Sequence, residues 1–229
     1  MDISLYDEEQ GTGIPMILLH GNGEDGTYFA HQLEYFSKTY RVIAVDTRGH
    51  GQSPRGSAPF TMDQFAEDLR EFLDQRSIDR AIVLGFSDGA NIAMKFVLRY
   101  PERVRALILN GGNLNAKGVK RSVQLPIEIG YRIAKLFAKR SAEAKRHAEI
   151  LGLMVHEPNI PLSELGRIRV PTLVIAGTKD MIRDSHTREI AAGIADAQLA
   201  IVPGDHFIAN REPDAFNRAV EEFLNGLET

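Results

Sequence analysis

Six short apolar runs, at residues 16–19, 42–45, 81–84, 106–109, 172–176 and 199–202, recur along the chain with helix-period segments between them. Runs of four or five residues are too short for buried helices, and near-continuous apolarity marks strands covered on both faces. Strands that alternate with helices specify a parallel sheet wrapped on both sides. Most of these runs end in Gly, Asp or Asn, the residues of loops that leave the end of a parallel sheet and carry chemistry. The expected fold class is therefore α/β, a mostly parallel, twisted central sheet with helices on both faces.

Two helices are legible in detail. Thr61, with Gln64 three residues on, has a capping-box pattern, and Phe65, Leu69, Phe72 and Leu73 share one face behind it. Pro213 suits the first turn of a last helix, where Phe216, Val220, Phe223 and Leu224 form a stripe and Gly226 can close the end. From 113 to 158 the alternation stops, and helix is expected around 127–153. The chain thus divides into a core of residues 1–112 and 159–229 and a helical insertion, 113–158. The insertion is basic. Nine Lys and Arg face two Glu between 117 and 146, a net +7, which leaves −11 for the remainder of a chain whose total is −4. Ile133, Leu136 and Phe137 are expected to turn down over a pocket beneath a solvated basic face. Steering of anionic substrates, or contact with anionic lipid, are the other readings of that charge.

Composition narrows the chemistry. With 229 residues the chain supports one well-buried core, and its mild negative charge gives no pull towards nucleic acid. It contains no cysteine, so disulfides, thiolate nucleophiles and Cys-ligated metals are excluded. No apolar run approaches the roughly 18–20 residues that span a bilayer, so stable membrane insertion is not expected. The opening MDISLYDEEQ lacks a basic and then apolar leader, which makes the cytoplasm the expected compartment. The histidines show no metal-ligand spacing, and neither metal nor cofactor is expected.

Gly85-Phe86-Ser87-Asp88-Gly89 joins the run at 81–84 to a helix-like segment. A G-x-S-x-G segment between strand and helix lets a tight turn lift a serine hydroxyl clear of the sheet, with a helix N-terminus beside it. Ser87 is the expected nucleophile. It needs a base oriented by a carboxylate. His206, in the loop after the last run, and Asp180, after the preceding run, stand in the chain order this arrangement uses, with Asp184 and Asp205 as fallback acids. The turn His20-Gly21-Asn22-Gly23 can supply a second backbone donor, so the N–H groups of Asn22 and Asp88 are the expected oxyanion hole. His20 is expected to hold that loop rather than to act as a base.

These landmarks, together with Asp46-Thr47-Arg48-Gly49-His50-Gly51-Gln52-Ser53, resemble the α/β-hydrolase superfamily in its serine-hydrolase branch of esterases, lipases and peptidases. The resemblance covers all of the chain except the insertion, which it implies is a small helical cap. It implies that 46–53 is a structural turn near the mouth of the site and that a small molecule, such as a carboxylic ester, thioester, lactone or amino-acid ester, is cleaved through an acyl-enzyme. C–C bond hydrolysis or a lyase step with the same triad, or a ligand receptor that has lost turnover, are the alternatives. Serine at the turn argues against relatives that use an Asp nucleophile there. Asp88 could hold a substrate ammonium or cap its helix, and Phe86 and Phe207 are expected beside the substrate. Relatives often open with a longer antiparallel hairpin. Only 3–6 and about ten further residues precede Ile14 here, so that edge strand is expected to be short or missing. Oligomeric state stays open.

Overall fold

The computed structural model describes residues 2–227. Seven strands form a single sheet: β1 (Asp7–Gln10), β2 (Pro15–Leu19), β3 (Arg41–Val45), β4 (Ala81–Phe86), β5 (Val104–Asn110), β6 (Thr172–Gly177) and β7 (Gln198–Val202). Their order across the sheet is β1-β3-β2-β4-β5-β6-β7, and only β1 runs antiparallel to its neighbour. The helices are α1 (Ala30–Phe36), α2 (Met62–Gln75), α3 (Asp88–Arg99), α4 (Arg121–Phe137), α5 (Ala142–His156), α6 (Asp184–Gly193), α7 (Ile208–Arg211) and α8 (Pro213–Asn225).

The apolar runs are covered on both sides, as their lack of alternation requires. Ile17, Ile43, Val83 and Leu107 point to one layer, against Leu69 of α2 and Phe96 of α3. Met16, Val42, Leu84 and Ile108 point to the other, against Phe36 of α1 and Phe216 and Val220 of α8. Each layer is a contiguous set of fully buried side chains, the principal favourable contribution to folding. The chain passes from β2 to β3 on one side and then returns to β4 on the other. The carboxyl ends of β2 and β4 therefore meet at a reversal of strand order, with Leu19 paired to Gly85. Ligands of open α/β sheets bind at such a crevice.

The structure adds local detail. The edge strand is short, as expected, and is formed by the acidic 7–10 segment. An edge strand needs only its backbone to pair, and its side chains can meet water; Glu9 is gripped by Arg41 at 2.7 Å. Leu5 instead joins the core. Thr61 caps α2 by accepting from the Gln64 N–H at 3.2 Å, but the Gln64 side chain donates to Asp68 and leaves the capping box half made. The helix expected around 127–153 is divided between α4 and α5, the second capped by Ser141, which accepts from Ala144 N. Gly226 closes α8 in ordinary right-handed geometry.

No helix among the described residues is long and apolar enough to cross a membrane.

Candidate active site

Ser87 sits where β4 ends and α3 begins, with φ 53° and ψ −118°. A non-glycine residue rarely holds that conformation, and its surroundings must enforce it. They do so by close approach. A β-carbon on Gly89 would strike the carbonyl oxygen of Leu19, and one on Gly85 would strike the backbone of Gly89. Two glycines thus let α3 press against the sheet while the turn stays tight, and the Ser87 N–H is tied to Asn110 O at 2.8 Å.

The loops after β6 and β7 bring the other two groups to this turn. Ser87 Oγ lies 3.0 Å from His206 Nε2, and His206 Nδ1 lies 2.7 Å from Asp180 Oδ1. All three side chains are buried. Asp180 Oδ1 also accepts from Ile182 N at 2.8 Å, while its Oδ2 has no hydrogen-bond partner among the described residues. A hydroxyl, an imidazole and a carboxylate in this sequence can pass the serine proton to the ring as the oxygen attacks. The fallback acids lie elsewhere: Asp205 accepts from the Phe207 N–H and pairs with Arg211, and Asp184 pairs with Arg188.

Comparison with known proteins agrees with this architecture. The family model described as alpha/beta hydrolase fold matches residues 14–131. The chain is an α/β-hydrolase. It is 30% identical over 99% of its length to a protein of Azorhizobium caulinodans provisionally named carbamate hydrolase RutD, of which it covers 97%. It is 26% identical to 3-oxoadipate enol-lactonase 2 of Acinetobacter baylyi, across 91% of this chain and 88% of that one. Among solved structures, the meta-cleavage product hydrolase of Pseudomonas fluorescens IP01 superposes with a TM-score of 0.80 at 25% identity, across 98% and 95% of the two chains.

In this α/β-hydrolase the two expected backbone donors are linked by their own side chains. Neither the Asn22 N–H nor the Asp88 N–H has a hydrogen-bond acceptor among the described residues. The Asn22 carboxamide donates to Asp88 Oδ2 at 2.8 Å and to Ile150 O of α5 at 3.0 Å. Asn91 donates to Asp88 Oδ1 at 3.3 Å and to Asn113 Oδ1 at 3.0 Å. The Asp88 carboxylate therefore makes no capping bond to its helix, and side-chain amides hold both of its oxygens. Burial pushes its carboxyl up to about 6, and the two amide donors oppose that shift.

Phe86 and Phe207 flank His206. Phe86 is fully buried, stacked on Tyr28 at 4.3 Å and 4.9 Å from the His206 ring, so it backs the imidazole from inside. Phe207 is half-buried, 5.5 Å from the same ring. His20 does hold its loop: Nδ1 meets Gly21 O at 2.7 Å, and Nε2 accepts from the Thr47 N–H at 3.0 Å. The 46–53 segment is a structural turn. Asp46 accepts from Gly26 N and Gln52 N, each at 2.7 Å, and buried Arg48 pairs with Asp68 through two bonds of 2.7 Å.

Some neighbours of the site carry no local signal in the chain. Glu24 accepts from the Gly21 N–H at 3.2 Å, and burial pushes its carboxyl up to about 7. Lys120, counted among the basic residues of the insertion, places its ammonium 2.5 Å from Asp180 O. Gly111, at φ 62°, lies against His206, where a β-carbon would meet the ring at 2.7 Å. The contacts of Lys120 and Gly111 span 60 residues or more and are invisible to spacing rules. Among the described residues no group of His, Asp and Glu is arranged to hold a metal ion.

Proposed function

We propose that this hydrolase cleaves a small carboxylic ester, or a related thioester or lactone, by a Ser-His-Asp mechanism. The observation that carries the reading is the continuous line of hydrogen bonds from Ser87 Oγ through His206 to Asp180, at 3.0 and 2.7 Å. Ser87 Oγ attacks the acyl carbon as His206 Nε2 takes its proton. Asp180 orients the ring and stabilises the imidazolium. The N–H groups of Asn22 and Asp88 receive the carbonyl oxygen as it gains charge, and the positive end of α3 adds to that stabilisation. His206 then returns the proton to the departing alcohol oxygen. A water, activated by the same imidazole, releases the acid and regenerates Ser87. Residues 113–158 act as the cap over this site, and Phe207 borders the substrate. An amine-bearing ester would have to displace Asn22 or Asn91 to reach the Asp88 carboxylate, which weighs towards substrates without an ammonium group.

The test is turnover of short p-nitrophenyl esters. Ser87→Ala is expected to lower kcat by about 10⁵–10⁶ while the protein melts as wild type does, and a fluorophosphonate should label Ser87 alone. Wild-type turnover in the alanine variant would overturn the reading. The structural likeness to a meta-cleavage product hydrolase supports one second reading, C–C hydrolysis by the same three residues. Its signature is slow turnover of simple esters with fast cleavage of a vinylogous diketone, both lost in Ser87→Ala.

A further inference from the structure

The insertion faces the opposite way from its expected orientation. Ile133, Leu136 and Phe137 do not turn down over Ser87; they are 53%, 76% and 51% exposed, Ile133 and Phe137 line an open cleft against His147 and Leu151 of α5, and Leu125 and Ile129 beside them are 43% and 49% exposed. Of the eight large apolar side chains left exposed among the described residues, these five lie on α4. α5 meets the body of the protein instead. Arg55 grips Glu149 through two bonds of 2.9 and 3.0 Å, Arg146 donates to Gly49 O at 3.3 Å, and Asn22 donates to Ile150 O. α4 lies across α5, with Gln124 its one buried side chain and a bond from Gln124 to Met154 O at 3.2 Å.

The exposed residues form a stripe. At about 100° per residue, Leu125, Ile129, Ile133 and Leu136 fall within roughly 80° of one another, and Phe137 widens the arc by about 40°. On the same wheel Arg132 and Lys135 lie along one edge of the stripe, and Lys139 and Arg140 follow in the turn after the helix ends at Phe137. None of these four cations has a carboxylate partner among the described residues; Lys135 lies over the Tyr131 ring at 5.4 Å. The only acid on α4, Glu128, is taken by Arg121 at 2.7 Å. A contiguous apolar face of this size on a soluble protein marks a contact surface.

Charge decides the occupant. A second copy docking by two-fold symmetry would bring together two faces that each carry Arg132, Lys135, Lys139 and Arg140, while the one acid of α4, Glu128, is already paired with Arg121. An anionic lipid surface fits both properties. The apolar stripe enters the headgroup boundary, and the long Lys and Arg stems reach to phosphates along its edge. We propose that α4 is an interfacial helix that rests the hydrolase on anionic membranes, with α5 and the site behind it. The inference holds whether or not the ester reading does, since no residue of the stripe belongs to the catalytic machinery.

The test is co-sedimentation of the whole chain with phosphatidylcholine vesicles, with and without phosphatidylglycerol. Binding is expected to the anionic vesicles at low salt, at least about 10-fold stronger than to phosphatidylcholine alone, and weaker at physiological salt. Leu136→Glu and Ile133→Glu should each cut that binding about 10-fold and leave the thermal melt and the turnover of a soluble ester unchanged. Lys135→Glu should lower binding and flatten its salt dependence. Failure to bind anionic vesicles at low salt, equal binding to both lipids, or binding indifferent to Leu136→Glu would each overturn the proposal. So would a wild-type dimer in sedimentation velocity that Leu136→Glu turns into a monomer.

Discussion

The turn after β4 and the helical hairpin after β5 hold their shapes by opposite means. At Ser87 the backbone is forced into a sparsely populated conformation by contacts on every side, with Gly85 and Gly89 pressed against neighbouring main chain and the side chain buried. In α4 and α5 only Gln124 and Leu153 are buried, and the hairpin is held to the body by a few polar contacts from α5. The first region is fixed at the turn that carries the proposed nucleophile, where reacting atoms would have to be aligned closely. The second belongs to the low-stability part of the fold, from which moving and adaptable elements are drawn.

Glycine substitutions give the sharpest contrast. Gly89→Ala drives a methyl group into Leu19 O, and a loss of about 3 kcal/mol, or roughly 6–12 °C in Tm, is expected together with most activity. Gly152→Ala in α5 meets only the Tyr131 ring at 3.4 Å, an ordinary contact. There the gain in helix propensity should stabilise by about 0.5–1 kcal/mol and leave turnover intact. Equal effects at the two positions, by thermal melts and ester assay, would dissolve the contrast.

Asn22 lies between the two regions. Asn22→Ala keeps the backbone N–H but removes the carboxamide that joins Asp88 to Ile150. An order of 10–100-fold loss in kcat is expected, with a smaller change in KM, because the bond positions a donor rather than binding substrate. A change confined to KM would instead assign Asn22 to substrate binding.

A further effect concerns acid stability. Burial pushes the His50 imidazole, in the turn beneath the hairpin, down to about 4. The unfolded chain takes up the proton near 6.5, so it binds more protons than the folded one between these values. Stability is whole above about pH 6.5 and falls as the pH drops towards 4, by at most about 1.4 kcal/mol per unit. His50→Gln should flatten that slope in urea titrations at neutral pH and near pH ~5. An unchanged slope would move the acid sensitivity to another group, His20 being the next buried imidazole.

Much of the core is legible in the chain because its signals are local. A buried strand shows itself within five residues, and Gly85, Ser87 and Gly89 announce a tight turn by spacing alone. The order Ser87, Asp180, His206 adds the rest, since loops after successive parallel strands emerge at one end of the sheet. The outward face of α4 is not legible in this way. Its apolar stripe has the period of a core helix, and only the grip of Arg55 and Asn22 on α5 determines which helix of the pair meets the body. The acidic edge strand is hidden for the converse reason, as Asp7–Gln10 pair through their backbone while their side chains read as a loop. The break at Ser141 is a single cap within a long helical pattern. Asp88 reads as a helix cap until its amide partners, 66 residues away and in the next turn of α3, come into view.

The bond from Asn22 to Ile150 O has a consequence for how the two regions exchange free energy. One side chain touches both the loop proposed to receive the developing charge and the helix that joins the hairpin to the body, so seating the hairpin and ordering that loop are expected to be linked. Linkage is reciprocal. If the loop plays its proposed part, whatever seats α5 on the body favours the ordered loop, and an adduct that fills the loop favours the seated hairpin by the same amount. Seating of the hairpin and filling of the site are then expected to shift together.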